Sequence, residues 1–153
     1  MNRPGRKKGP VRKILVLVAA VLFSLAAVSP ALLLAAGAET LQILPKPGER
    51  VVLDVDHYFT YGFDKPPKMG AAIMRVEIFS RTGERDTTFV VRGDADMPSM
   101  RGAHSTGDKD FALSAKGVYL LPVRLVMPGD WEITFTFLKD GKKVFRGAYL
   151  FDL

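Results

Sequence analysis

The sequence predicts an all-β fold, an immunoglobulin-like β-sandwich of about seven strands preceded by one N-terminal hydrophobic helix. Three observations carry this expectation. After residue 50 the apolar residues recur with period two, and no stretch shows the 3.6-residue period of an amphipathic helix. Glycine, proline and Asp-Gly turn signals separate the apolar runs. The 153-residue chain has no cysteine, so a single hydrophobic core must hold the fold without disulfides. A small barrel is the alternative all-β architecture.

The chain opens with a basic run. Arg3, Arg6, Lys7, Lys8, Arg12 and Lys13 fall within the first 13 residues, with no acid among them. Residues 14–36 then form a 23-residue apolar stretch interrupted only by Ser24, Ser29 and Pro30. As a helix this stretch would be about 34 Å long, enough to cross a bilayer. It also ends in Ala36-Gly37-Ala38, a small-x-small site of the kind signal peptidase cuts, and residues 14–28 alone suit a signal core. A signal anchor and a signal cleaved near Ala38 both remain open. In either case residues 39–153 are expected to be exported and to face the outside of the membrane, with the basic end left in the cytoplasm. No cysteine follows the apolar run, which excludes a lipoprotein. The expected organisation is 1–38 for the basic and apolar segment, 39–50 for a linker containing Pro45-Lys46-Pro47-Gly48, and 51–153 for the sandwich.

The strands are read in order. Residues 51–59 suggest a first strand. Met74-Arg75-Val76-Glu77-Ile78 alternates apolar and charged residues, as a half-buried strand does. Arg81-Thr82-Gly83-Glu84 is a turn, and Thr87-Thr88-Phe89-Val90-Val91 is rich in β-formers. Residues 111–115 suggest a short strand. Tyr119, Leu121, Val123 and Leu125 share one face of the next, where Pro122 points to an edge position or a bulge. In Trp131-Glu132-Ile133-Thr134-Phe135-Thr136-Phe137 the odd-numbered residues face the core and the even-numbered ones face water. Lys139-Asp140-Gly141-Lys142 is a tight-hairpin signature, and residues 143–151 return as the last strand. Gly117-Val118-Tyr119 fits the tyrosine corner found in such sandwiches.

Net charge is +6, but from Glu39 onward 16 Lys and Arg balance 16 Asp and Glu. The folded part therefore has no overall basic excess, and nucleic acid is excluded as a partner.

One segment can carry chemistry. A long polar stretch, residues 93–110, is expected as a loop, and connections of that length are commonly functional. It holds Met97, Met100 and His104 within eight residues. Thioether sulfur is soft and selects Cu(I), and an imidazole can complete such a site. Packing of the methionines beneath the loop is the alternative. Met127, in the turn Met127-Pro128-Gly129-Asp130, is expected at the opposite pole of the sandwich.

Met97-Pro98-Ser99-Met100, the downstream His104, Gly117-x-Tyr119 and Met127-Pro128-Gly129-Asp130-Trp131 together resemble the YtkA-like and FixH-like domains. The resemblance is strongest over residues 90–153. It implies an exported or membrane-anchored bacterial β-sandwich associated with copper handling and with assembly of haem–copper oxidases. Relatives commonly carry a His closer behind the second Met, whereas here Arg101-Gly102-Ala103 intervene. The resemblance implies copper delivery or a scaffold role, with a membrane protein complex as partner, on the periplasmic side of a bacterial inner membrane. A metal-free interaction domain docking to such a complex is the competing reading.

Other candidates are weaker. Asp54, Asp56 and His57 do not converge on one face of a continuous strand. Tyr58, Phe59, Tyr61 and Phe63 are either a docking patch or core packing. No phosphate loop, Gly-x-Ser-x-Gly elbow or His-Glu-x-x-His helix is present, so no enzymatic activity is expected.

Overall fold

The computed structural model describes residues 40–153, and the expected N-terminal signal or anchor segment lies outside them. The described chain is all-β and forms two five-stranded sheets. The strands are β1 (Gln42–Ile43), β2 (Val51–Val52), β3 (His57–Phe63), β4 (Gly70–Ser80), β5 (Val90–Asp96), β6 (Lys109–Asp110), β7 (Ala112–Leu113), β8 (Tyr119–Leu125), β9 (Asp130–Lys139) and β10 (Lys142–Asp152). One sheet has the order β1-β10-β9-β5-β6 and the other β2-β3-β4-β8-β7. All neighbours are antiparallel except β1, which runs parallel to β10.

The inward faces follow the alternation of the sequence. Trp131, Ile133, Phe135 and Phe137 on β9 are fully buried, as are Met74, Val76 and Ile78 on β4. Aromatic rings bridge the layers, with Phe59 4.5 Å from Phe137 and Tyr61 5.3 Å from Phe135 between ring centroids. Such offset and tilted pairs suit the ring quadrupole. Phe59 and Tyr61 are thus core residues, Phe63 packs against Phe151, and only Tyr58 turns outward, stacked on Phe79. The Tyr119 hydroxyl donates to the Phe89 carbonyl at 2.8 Å, tying the start of β8 to the residue before β5.

At the β9–β10 hairpin, Lys139 pairs with Lys142 around Asp140 and Gly141, at φ 50° and 74°. Positive φ at both central residues is the type I′ arrangement, which matches the strand twist. Pro122 faces Ile73 on β4, while β7 pairs with β8 only at Tyr119 and Leu120. The proline therefore sits beyond the end of β7, on what is in effect a free edge.

Four expectations are corrected. Residues 51–59 are not one strand: Val51 and Val52 pair back onto Phe59 and Tyr58, because Asp54 accepts the Asp56 N–H at 2.8 Å and folds the chain into a turn. Residues 42–44 belong to the sandwich and not to a linker, with Leu44 buried against Gly147, where an added Cβ would meet Leu44 at 2.7 Å. Residues 111–115 are not one strand, because the chain passes from one sheet to the other at Phe111. The polar loop begins at residue 97, since residues 93–96 continue β5 beside β9.

Candidate functional site

β5 and β9 are antiparallel, so the end of one lies beside the start of the other, with Asp96 opposite Glu132. The loop of residues 97–108 leaves this end, beginning with a short 3-10 turn at Pro98–Met100. The turn Met127-Pro128-Gly129-Asp130 lies at the same end, since an added Cβ on Gly129 would stand 3.0 Å from the Met97 methyl carbon. Met127 is therefore not at the opposite pole. The chain returns along β6 beside Arg92 and Gly93 before crossing to β7 and β8, which brings the end of β8 back to the loop.

Four carboxylates at the strand ends hold the loop. Asp94 accepts the Ser105 and Thr106 hydroxyls at 2.7 and 2.9 Å. Asp96 accepts the backbone N–H groups of Met97 and Gly102 at 2.8 and 2.9 Å. Asp130 accepts the Ser99 N–H at 2.9 Å and its hydroxyl at 2.5 Å. Glu132 takes Arg101 in a two-pronged pair at 2.5 and 3.2 Å. Glu132 is expected from the alternation to face water, and it does leave the core, but Arg101 covers it and only 4% is exposed. Charge-assisted bonds of this kind are among the stronger ones available to a loop.

These acids belong to the loop's scaffold. Among the described residues no three His, Asp or Glu side chains are grouped to hold a metal ion. The three sequence candidates stand in different surroundings. Met97 is 2% exposed and part of the hydrophobic core. Met100 is 37% exposed on the 3-10 turn. His104 is half-buried further along the loop. The Met97 thioether is thus enclosed in the hydrophobic core, whereas Met100 and His104 are both partly open to solvent.

Sequence reasoning missed the carboxylate scaffold. The signal is Asp94-x-Asp96 and Asp130-x-Glu132, acids at period two, with Ser99, Arg101, Ser105 and Thr106 as their donors. It also missed the surroundings of His57, whose Nδ1 lies 2.8 Å from Asp54 and whose Nε2 lies 3.1 Å from Asp86. The turn at residues 54–56 makes the first contact possible, so Asp54 and His57 do meet. The two carboxylates approach opposite ring nitrogens, which is a structural clamp and not a convergent metal site.

Hydrogen bonds from the Ser99 hydroxyl, only partly opposed by burial and joined by the Ser99 N–H, hold the Asp130 carboxyl below its usual range. Asp54 and Asp86 are also lowered, since the bonds they accept outweigh the opposing effect of burial. A lowered carboxyl binds its proton less readily in the folded state than in the unfolded one. The unfolded chain therefore takes up more protons as pH falls, and stability drops. The thermal midpoint is expected to hold from neutral pH to about 4, where unfolded carboxyls titrate, and to fall below that. Asp130→Asn should make the acid limb shallower in a pH series of melting curves.

No protein-family model matches this sequence, and neither does any curated protein. Two solved structures of FetP from uropathogenic Escherichia coli resemble it. The as-isolated protein has a TM-score of 0.48 at 11% identity, covering 70% of this chain and 93% of that one. A copper-bound variant of FetP has a TM-score of 0.47 at 12% identity, covering 69% and 93%.

Proposed function

We propose that this protein is an exported, membrane-attached binding module without catalytic activity, and that it docks to a membrane protein complex through the loop of residues 97–108. The observation that carries this reading is the pinned loop. Four carboxylates are used to hold a single surface segment in one shape, and that segment presents Met100 to solvent. A loop ordered in advance loses less conformational entropy on binding, which is the physical reason to build one. The basic N-terminus and the apolar stretch in the sequence support export and attachment.

Cu(I) capture in copper trafficking or oxidase assembly is the second reading. It is favoured by the partly exposed Met100 and the half-buried His104 in one loop. The burial of Met97 counts against a three-donor site and in favour of the docking reading.

The two readings separate in one set of measurements on the full-length chain. A photo-crosslinking residue placed at position 100 is expected to form adducts in membranes. The same residue at Thr82, in the turn after β4 at the other pole, is not. In parallel, the chain is expected not to compete with a chromophoric chelator for Cu(I) at micromolar affinity. Competition that disappears on Met100→Ala or His104→Ala, without position-specific adducts, would replace docking with copper capture.

A further inference from the structure

The crossing between sheets at Phe111 leaves the later part of β8 without a neighbour on one side. β7 pairs Ala112 with Leu120 and Leu113 with Tyr119, and goes no further. Ser114 donates its backbone N–H to the Val118 carbonyl at 2.9 Å. That bond turns the peptide groups of residues 118, 120, 122 and 124 toward β7, since alternate residues of a strand face the same edge. Beyond Leu120, among the described residues, no strand stands there to meet them. The Pro122 carbonyl and the Arg124 N–H and carbonyl therefore lie on an open edge. Proline is tolerated at this position because the N–H it lacks would point away from β4.

A groove of about 470 Å³ lies against this edge. Ala71, Pro122 and Val123 line it with apolar surface, and Thr106, Lys109 and Arg124 supply its polar part. No carboxylate is among the lining residues. The register of β6 explains the absence of acid. Asp110 lies opposite Arg92, and that arginine holds Asp110 and Asp108 at 3.0 and 3.2 Å on the outer face of its own sheet. Lys109 lies opposite Gly93, where an added Cβ would meet Phe111 and Leu121 on the inner side. Opposed residues share a face, so Lys109 turns away from the two acids and toward β8. Lys109 and Arg124 are both exposed, and neither makes an ion pair with any described residue.

We propose that the open edge of β8 takes an extended acidic segment of the partner protein as an added strand, with one carboxylate beside Arg124 and the next directed to Lys109. The free peptide groups of Pro122 and Arg124 supply the ladder, and the two cations select the side chains. Successive residues of a strand turn to opposite faces, so two consecutive acids reach the two cations. A second copy of this chain would set the same cations against each other, and like charges across a strand pair destabilise it. Thr106 belongs to the docking loop, so the proposal rests on the docking reading and names the chemistry of the partner. The crosslink at position 100 and the titration below probe different residues, so either can fail alone.

The test is an NMR titration of the isotope-labelled full-length chain with a blocked hexapeptide, two central glutamates flanked by valines. Amide shifts are expected to saturate at Lys109, Val123 and Arg124. At saturation the Arg124 amide should exchange with solvent at least tenfold more slowly, because an added strand covers its N–H. The same peptide with two central glutamines should bind at least tenfold more weakly. Arg124→Glu should weaken binding of the acidic peptide at least tenfold without moving the thermal midpoint, since that side chain is exposed and makes no ion pair. Lys109→Ala should weaken it severalfold. Saturable shifts confined to the basic N-terminal run, equal binding of the glutamine peptide, or unchanged exchange at Arg124 would overturn the proposal. Acetate moving the same amides to the same extent would reduce the groove to a simple anion site, and sedimentation showing dimers that Arg124→Glu dissolves would reassign the edge to self-pairing. Either result overturns it as well.

Discussion

Trp131→Ala is expected to destabilise the domain by about 3–5 kcal/mol, the usual range for removing a large buried aromatic. The indole is fully buried on β9, and its N–H donates to the Met127 carbonyl at 3.1 Å. Truncation removes the packing and also leaves that carbonyl without its donor, at the turn that carries Asp130. Domains of this size are commonly stable by only about 5–15 kcal/mol, so the variant should sit near the folding threshold. The melting temperature should fall by roughly 10–20 °C, measured by circular dichroism. Trp131→Phe keeps most of the volume and loses the hydrogen bond, so it should fall by much less. Equal losses for both variants would show that the bond to Met127 matters more than the packing. This is the only tryptophan in the chain, so wild-type emission reports on this position alone.

Met97→Ala is expected to cost about 2–4 kcal/mol, as buried methionine truncations do, whereas Met100→Ala should stay within about 0.5 kcal/mol. The asymmetry follows from burial, since Met97 lies in the core and Met100 is partly exposed. Chemical denaturation of the two single variants measures it directly. Equal and small losses would mean that the Met97 thioether is not packed as described, and would reopen the copper reading. A large loss confined to Met97 supports an anchor that plugs the loop into the sandwich.

Most strands were legible because their information is local. The predicted strand of residues 119–125 matches β8 in extent, and the Asp140-Gly141 turn needed only two residues to announce itself. The alternation of β9 placed its core face correctly, while Glu132 shows the limit of that rule. The same period that turns Glu132 outward cannot show that Arg101, 31 residues away in sequence, covers it. Asp54 and Asp56 looked like strand positions because the alternation around them was intact, and the side-chain bond that breaks the strand does not change that pattern. Asp94 and Asp96 read as loop because acids are poor strand formers. Here the strand tolerates them because the loop returns hydroxyl and amide donors to both. The candidate site was legible as a loop rich in methionine. The division of its methionines between core and surface was not, since it depends on where Gly129 comes to lie.

The passage at Phe111 has a mechanical consequence. Lys109 and Asp110 are stitched into one layer, and Ala112 and Leu113 into the other. A single residue, Phe111, separates the two seams. Opening one layer at this border therefore pulls on the other through the buried Phe111.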